Sequence, residues 1–263
     1  MDITVNTKDL RQALQAVAAH ASTDHDDLRL HRVHCEVTPD NLFISAGQGF
    51  TAGMAIVSIL TNQDGELTTF ALSPAAVKDL LTLFKVTTPL AEEAEVRIRG
   101  RGTEHLSVQD VSGMFPGKEV VLPLTPPHDE FPDLKKTMQA LAVAESALDQ
   151  GVVLAGPWWA TFVAATKAYR EPMLVSSPKS RAMLLVLVGE SFIGTVVGSA
   201  EGDNFDELAR YREQDWPTRL RAAANGEAPI DLPADWSVDV KGDGPIATVL
   251  RHRLKSQGDG DDL

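Results

Sequence analysis

The feature that most constrains this chain is a pattern that returns: a short β-type run leads into an amphipathic helix, and further β-type runs follow. Ile3-Thr4-Val5 alternates as a strand. Asn6 or Thr7 caps a helix from about Lys8 to Ala21, with Leu10, Ala13, Leu14 and Val17 as its apolar stripe. Strands are predicted next at Val33–Val37, Leu42–Ser45 and Met54–Ile59, divided by turns at 38–41 and at Gly47-Gln48-Gly49. The plan restarts with a strand at Leu67–Leu72. Ser73-Pro74 supplies an N-cap and a first-turn proline, and Val77, Leu80, Leu81 and Phe84 line a helix running to about Lys85. Strands follow at Glu95–Arg99, His105–Val111 and Glu119–Leu124. A third start lies at Val152–Leu154 and Gly156-Pro157. Its helix runs from Trp158 to about Arg170, with Trp158, Phe162, Ala165 and Tyr169 on one face. Strands are then predicted at Met173–Ser176, Ala182–Val188 and Phe192–Val197. A unit of this kind cannot bury its apolar face alone, so copies must pack on one another. The fold class is α+β.

Two stretches stand outside the pattern. Residues 125–133 (TPPHDEFPD) read as a linker, and 134–149 as a helix carrying Leu134, Met138, Leu141 and Leu148, or partly as a strand at Leu141-Ala142-Val143. From Glu201 the composition turns acidic and rich in Gly and Pro. A helix at Asn204–Ala224 and a strand at Trp236–Val240 are expected there, before a disordered end (SQGDGDDL). The chain therefore divides into 1–126, 127–200 and 201–263.

Several function classes are excluded early. No apolar run reaches the roughly 18 residues of a membrane helix; the longest, Ala182–Val188, has the length of a buried strand. The first residues show no basic-then-apolar leader, which gives a cytoplasmic expectation. The single cysteine, Cys35, rules out an intrachain disulfide framework and a thiolate-rich zinc site. His31, His34 and Cys35 are close in sequence, with His20 and His25 upstream, but His34 and Cys35 point to opposite faces of a strand. No metal or cofactor is expected. Gly47-Gln48-Gly49 opens no helix and reads as a turn rather than a phosphate cradle. No P-loop, nucleophile-elbow, zincin or paired-cysteine motif occurs. Acid pairs such as Asp26-Asp27 and Glu92-Glu93 fall in solvated loops, where nothing separates their pKa values for acid–base work. Trp158 is assigned to the core beside Phe162, while Trp159 is left between core packing and stacking on bases.

Charge poses the sharper question. Acidic residues outnumber basic ones 37 to 24, a net charge of −13, which by itself argues against nucleic acid. The positions of the cations reverse the argument. Opposite its apolar stripe the first helix carries Lys8, Arg11, Gln12 and Gln15, and the second carries Lys78, Thr82 and Lys85. The third turns Lys167 and Arg170 away from Phe162 and Tyr169, and the stretch after 134 offers Lys135, Lys136 and Gln139 on a matching face. Each of the first three helices thus shows two cations and no acidic residue near the centre of its exposed face. Exposed helix faces are commonly charged. Three agreeing helices in an acidic chain nevertheless describe a cationic lining on an anionic body, suited to phosphates and indifferent to bases.

Over residues 1–134 the chain resembles the DNA polymerase sliding clamps, most closely the bacterial β-clamp type carried in shortened form by some phages. The resemblance rests on ITVNTKDLRQALQAV, on LHRVHCEVTPDNLFISAGQGFTAGMAIVSI, on LTTFALSPAAVKDLLTLF and on the Phe131-Pro132-Asp133-Leu134 element that ends a first clamp domain. GVVLAGPWWATFVAATKAY is similar to part of a second domain. The resemblance implies a DNA-clamp fold of repeated strand–helix–strands units, with sheets outside and helices lining a ring around duplex DNA. It implies a non-enzymatic processivity factor, tethering DNA polymerase and opened by a clamp loader, and for two domains a homotrimer. It places Lys8, Arg11, Lys78, Lys85, Lys167 and Arg170 toward DNA. A partner-binding groove is expected near Val120, Val121, Leu122 and Pro123. The alternative is a clamp-fold protein that does not encircle DNA and acts as a partner-binding regulator or decoy.

Overall fold

A computed structural model describes residues 1–64, 67–85, 93–101, 104–126, 131–142, 156–177 and 183–197. The predicted strand at Val152–Leu154, residues 127–130 of the linker, the end of the 134–149 stretch and everything assigned to 201–263 lie outside them. The described residues all belong to one unit, Met1–Ala200.

The order of elements follows the repeat. β1 (Asp2–Asn6) and α1 (Thr7–Ala18) lead into β2 (Val33–Val37), β3 (Asn41–Gln48) and β4 (Thr51–Asn62). β5 (Thr68–Leu72) and α2 (Pro74–Leu83) lead into β6 (Glu95–Arg101), β7 (His105–Asp110) and β8 (Glu119–Pro123). α3 (Leu134–Ala142), α4 (Gly156–Tyr169), β9 (Met173–Ser176), β10 (Met183–Val188) and β11 (Phe192–Val197) complete it. α1 stops three residues short of the predicted end; Ala19 caps it and His20 turns inward.

The strands run in the order β5-β2-β3-β4-β1-β6-β7-β8, each pair antiparallel. Each helix-leading strand is thus built into the sheet of the other unit: β5 beside β2, and β1 beside β6. The Thr125 N–H donates to Ala71 O at 2.8 Å, bringing the two ends of this path together into a nearly closed barrel.

β4 is the branch point. Its residues Thr51–Ser58 pair with β3. On its other edge Thr51–Ala55 pair with β11, and from Ile59 onward β1 takes over, past an irregularity at Thr4/Val5. Twelve residues give it the length to serve three neighbours. β11 in turn carries β10, and β10 carries β9.

Burial follows the alternation of side chains across each strand. Leu10, Leu14 and Val17 of α1, Val77 and Leu80 of α2 and Phe162 of α4 share one core with Ala55, Val57, Leu184, Val186, Val188 and Phe192. The residues in between, Ala52, Met54 and Leu185, pack on Leu134, Met138 and Leu141 of α3. α3 therefore lies on the opposite face of the sheet from α4. This corrects the expectation that Lys135 and Lys136 join the cationic helical face. Periodicity identifies the buried stripe of α3 but cannot say which side of the sheet receives it.

Candidate nucleic-acid interface

The two helices α1 and α2 start where their caps place them. The Asn6 side chain accepts from the Lys8 and Asp9 N–H groups at 2.9 and 3.3 Å, and Ser73 Oγ accepts from Ala76 N–H at 3.1 Å. Each cap satisfies N–H groups that the helix itself cannot. With their stripes buried, the opposite faces are left outward.

α1 lies against both α2 and α4, and two side chains lock it there. Arg11 Nη1 donates to Leu81 O at 2.5 Å and to Phe84 O at 2.9 Å, at the C-terminal end of α2. Gln12 Nε2 donates to Ala168 O at 3.0 Å, in the last turn of α4. The outward face of α1 therefore bridges the C-terminal ends of its neighbours. Lys85 directly follows Phe84, and Lys167 and Arg170 flank the Ala168–Tyr169 pair, so these three stand in sequence beside the carbonyls that Arg11 and Gln12 hold. Lys78 stands about 9 Å back along α2, six residues before Phe84. Lys8, Lys78, Lys85, Lys167 and Arg170 are exposed, and Arg11 is half-buried. Burial lowers the Arg11 pKa from its ordinary value, and the two carbonyls accept from its charged form.

The arrangement departs from the sequence reading in two respects. Asp79 shares the exposed side of α2 with Lys78, and Asp9 is exposed on α1. The expectation of faces without acidic residues near their centres thus fails at α2, because the face spans Ala75 to Leu83 and includes position 79. Second, Arg11 spends hydrogen bonds on carbonyl groups that a helix end leaves unpaired. Cations at a helix C-terminus also complement its partial negative charge, which is a structural reason for Lys167 to sit where it does. Tyr169 is half-buried beside this cluster; burial, and then the charge of Asp9, push its hydroxyl pKa up.

At the other end of α4 both tryptophans pack on the core, Trp158 as its spacing predicts. Trp158 stacks on the exposed Phe50 ring at 4.1 Å between centroids and 14° between planes, while Trp159 tilts against Phe162 at 5.9 Å. Both tryptophans are half-buried against the core that holds Phe162, and Trp159 alone of the two makes a ring contact with Phe162 among the described residues. Val120, Val121, Leu122 and Pro123 form β8, paired among the described residues with β7. Leu122 is buried, Val121 is 44% exposed and Pro123 is exposed. His34 and Cys35 point apart, Cys35 into the helix-side core. Among the described residues no group of three His, Cys, Asp or Glu side chains is placed to hold a metal ion.

No protein-family model matches the chain, and no curated protein matches it. Solved structures do. The DNA polymerase III beta subunit of Thermotoga maritima matches with a TM-score of 0.56 and 17% identity, over 77% of this chain and 66% of that one. This chain has the sliding-clamp fold. The subunit from Pseudomonas aeruginosa matches with a TM-score of 0.53 and 14% identity, over 79% of this chain and 68% of that one. The Helicobacter pylori beta clamp, solved bound to a DNA ligase peptide, matches with a TM-score of 0.51 and 13% identity, over 77% and 68%. The clamp-fold chain thus spans about two thirds of the length of these clamps. No helix among its described residues is long and apolar enough to cross a membrane.

Proposed function

We propose that this chain is a sliding clamp: a non-enzymatic ring that encircles duplex DNA without reading its sequence and tethers DNA polymerase for processive replication. The observation that supports the reading is the packing of α1, α2 and α4 on one core, with Lys8, Lys78, Lys85, Lys167 and Arg170 exposed on them and Arg11 half-buried, in a chain of net charge −13. Linkage by topology needs few phosphate contacts, and an anionic exterior repels DNA outside the ring. The reading includes a homotrimer of chains divided at 1–126, 127–200 and 201–263, a clamp loader that opens the ring, and a cytoplasmic site of action in a bacterial or phage-infected cell. Partner docking is assigned to β8, where Val121 projects to solvent between Val120 and Leu122, ahead of Pro123. The ligase peptide on the Helicobacter clamp supports peptide tethering as a mode of action.

The test is retention on DNA. Clamps loaded onto nicked circular DNA are expected to stay through gel filtration and to leave when the circle is cut. Changing Lys8, Lys78, Lys85, Lys167 and Arg170 to Ala should shorten retention at least about tenfold without changing the circular dichroism spectrum. Unaltered retention, or equal retention on linear DNA, would reject encirclement.

The second reading is a clamp-fold regulator or decoy that does not encircle DNA. The engagement of Arg11 with Leu81 and Phe84, and the place of Asp79 beside Lys78, favour it by diluting the cationic face. A strict monomer by light scattering selects this reading, and a trimer selects the first.

A further inference from the structure

The connection between α1 and β2 folds back on itself and brings two histidines together. The rings of His25 and His31 meet at 4.4 Å between centroids, tilted by 58°. The Asp24 N–H donates to Ser22 Oγ at 3.1 Å and the Asp26 N–H to Asp24 Oδ1 at 2.9 Å, two successive tight turns around His25. Asp27 O accepts from the Leu30 and His31 N–H groups at 3.0 and 2.8 Å, and the Ser22 N–H donates to Leu30 O at 3.1 Å, so the far end of the connection returns to its start. The buried Arg32 donates to Leu28 O and Pro126 O and holds the loop from inside. Strand parity separates His34 from Cys35, but His31 precedes β2 and pairs with His25 instead.

One of the two rings is oriented as a ligand. His31 Nδ1 lies 2.7 Å from the Ser22 carbonyl oxygen. A carbonyl only accepts, so Nδ1 carries the hydrogen and the lone pair of the neutral ring sits on Nε2. A backbone carbonyl orients metal-ligating histidines in this way. His25 is exposed and His31 half-buried, so an ion reaches both rings from solvent. Zinc holds histidine nitrogens at about 2.0–2.1 Å, which places two of them about 3.3 Å apart. With the ring centres at 4.4 Å, a turn of the exposed His25 ring alone brings its nitrogen into that range. Asp24 and Asp26 flank His25; both are exposed, and neither belongs to an ion pair among the described residues, whereas Asp27 is shared with Arg29 at 3.6 Å. Their charge draws cations to the rings.

We propose that His25 and His31 together hold one late first-row divalent transition ion of the zinc type, through one nitrogen of each ring, Nε2 in His31. Among the described residues no third His, Cys, Asp or Glu side chain joins them, so water completes the coordination. Imidazole nitrogens suit zinc, copper and nickel; magnesium demands oxygen ligands and is not held here. The ion ties the outer turn of the connection, at His25, to its base ahead of β2. The inference needs neither a ring nor DNA and survives failure of the encirclement test.

The test titrates the full chain, stripped of metal by a chelator, with zinc chloride, and follows heat and the imidazole resonances. Saturable binding is expected, with the His25 and His31 ring signals shifting together. Magnesium chloride at the same concentrations should leave both signals in place. His25→Ala and His31→Ala should each weaken zinc binding at this pair by about tenfold or more. His105→Ala, at an exposed histidine on β7, should leave it unchanged. His25 is exposed, so His25→Ala keeps the test valid if His31→Ala fails to fold. Absence of saturable binding, a shift confined to one ring or to other histidines, an equal response to magnesium, or unchanged affinity in His25→Ala would each overturn the proposal.

Discussion

Gly53 of β4 faces Gly194 of β11 across the strand pair that joins the first two units to the third, and the room their missing side chains leave is filled by the rings of His20 and Phe162. His20 and Phe162 meet edge to face at 4.7 Å, and Phe192 closes the cluster. All three rings are buried. The join therefore depends on close backbone approach and ring packing, with no ion pair in it among the described residues.

Gly194→Ala should be the most damaging small change at this join. A Cβ there would lie 2.6 Å from Phe162 Cε1 and 2.8 Å from the Ala52 carbonyl oxygen, and the latter belongs to the backbone of the neighbouring strand. A loss of about 2–3 kcal/mol is expected by urea unfolding. At Gly53 a Cβ would meet the His20 ring at 2.7 Å, and a ring yields more easily than a strand, so Gly53→Ala should cost less. The reverse order of costs would contradict this packing.

His20 makes the join sensitive to acid. Burial lowers its pKa to about 4 from the ordinary 6.5; Nδ1 lies 3.2 Å from Thr51 Oγ1, and Nε2 has no hydrogen-bond partner among the described residues. Between those two pKa values the unfolded chain binds a proton that the folded chain refuses. Stability is thus complete above about pH 6.5 and falls as the pH drops toward 4. The loss at pH 5 should be about 2 kcal/mol, and the slope from pH 7.5 to 5 should flatten in His20→Gln. An identical slope in both proteins would remove His20 as its source.

Arg170 ends α4 with φ of 57°, in the left-handed region that favours glycine. Arg170→Gly should raise stability by about 0.5–1 kcal/mol, and Arg170→Ala should bring no such gain. On the clamp reading both variants lose retention on DNA equally. Thermal melts and retention assays on the same samples separate the two effects, and a destabilised Arg170→Gly would show that the guanidinium holds the turn.

Arg11 and Lys78 should separate in the same way. Arg11→Ala releases the Leu81 and Phe84 carbonyls and is expected to cost about 1 kcal/mol, the value of a charged hydrogen bond discounted for partial exposure. Lys78→Ala should leave chemical denaturation within about 0.5 kcal/mol of the parent. Equal stability losses would mean that Arg11 does not secure α2.

Elements were legible in the sequence wherever a local signal exists. The stripe Leu10, Ala13, Leu14 and Val17 is buried as its spacing requires, and the caps at Asn6 and Ser73 work as their residue types predict. The fold class follows from the repeated order of such elements. The face presented by α3, the stacking of Trp158 on Phe50, and the cleft between residues 34–54 and 131–135 carried no local signal, since each depends on partners distant in the chain.

Periodicity and capping are properties of neighbouring residues, so the sequence by itself determined which segments become strands and helices and which side of each is apolar. Tertiary structure alone decided what those sides meet. β4 offers alternate residues to both faces of the sheet, which places α1 and α4 on one side and α3 on the other. The physical reason is that a buried stripe fixes a helix's rotation about its own axis and leaves open the surface on which it lands.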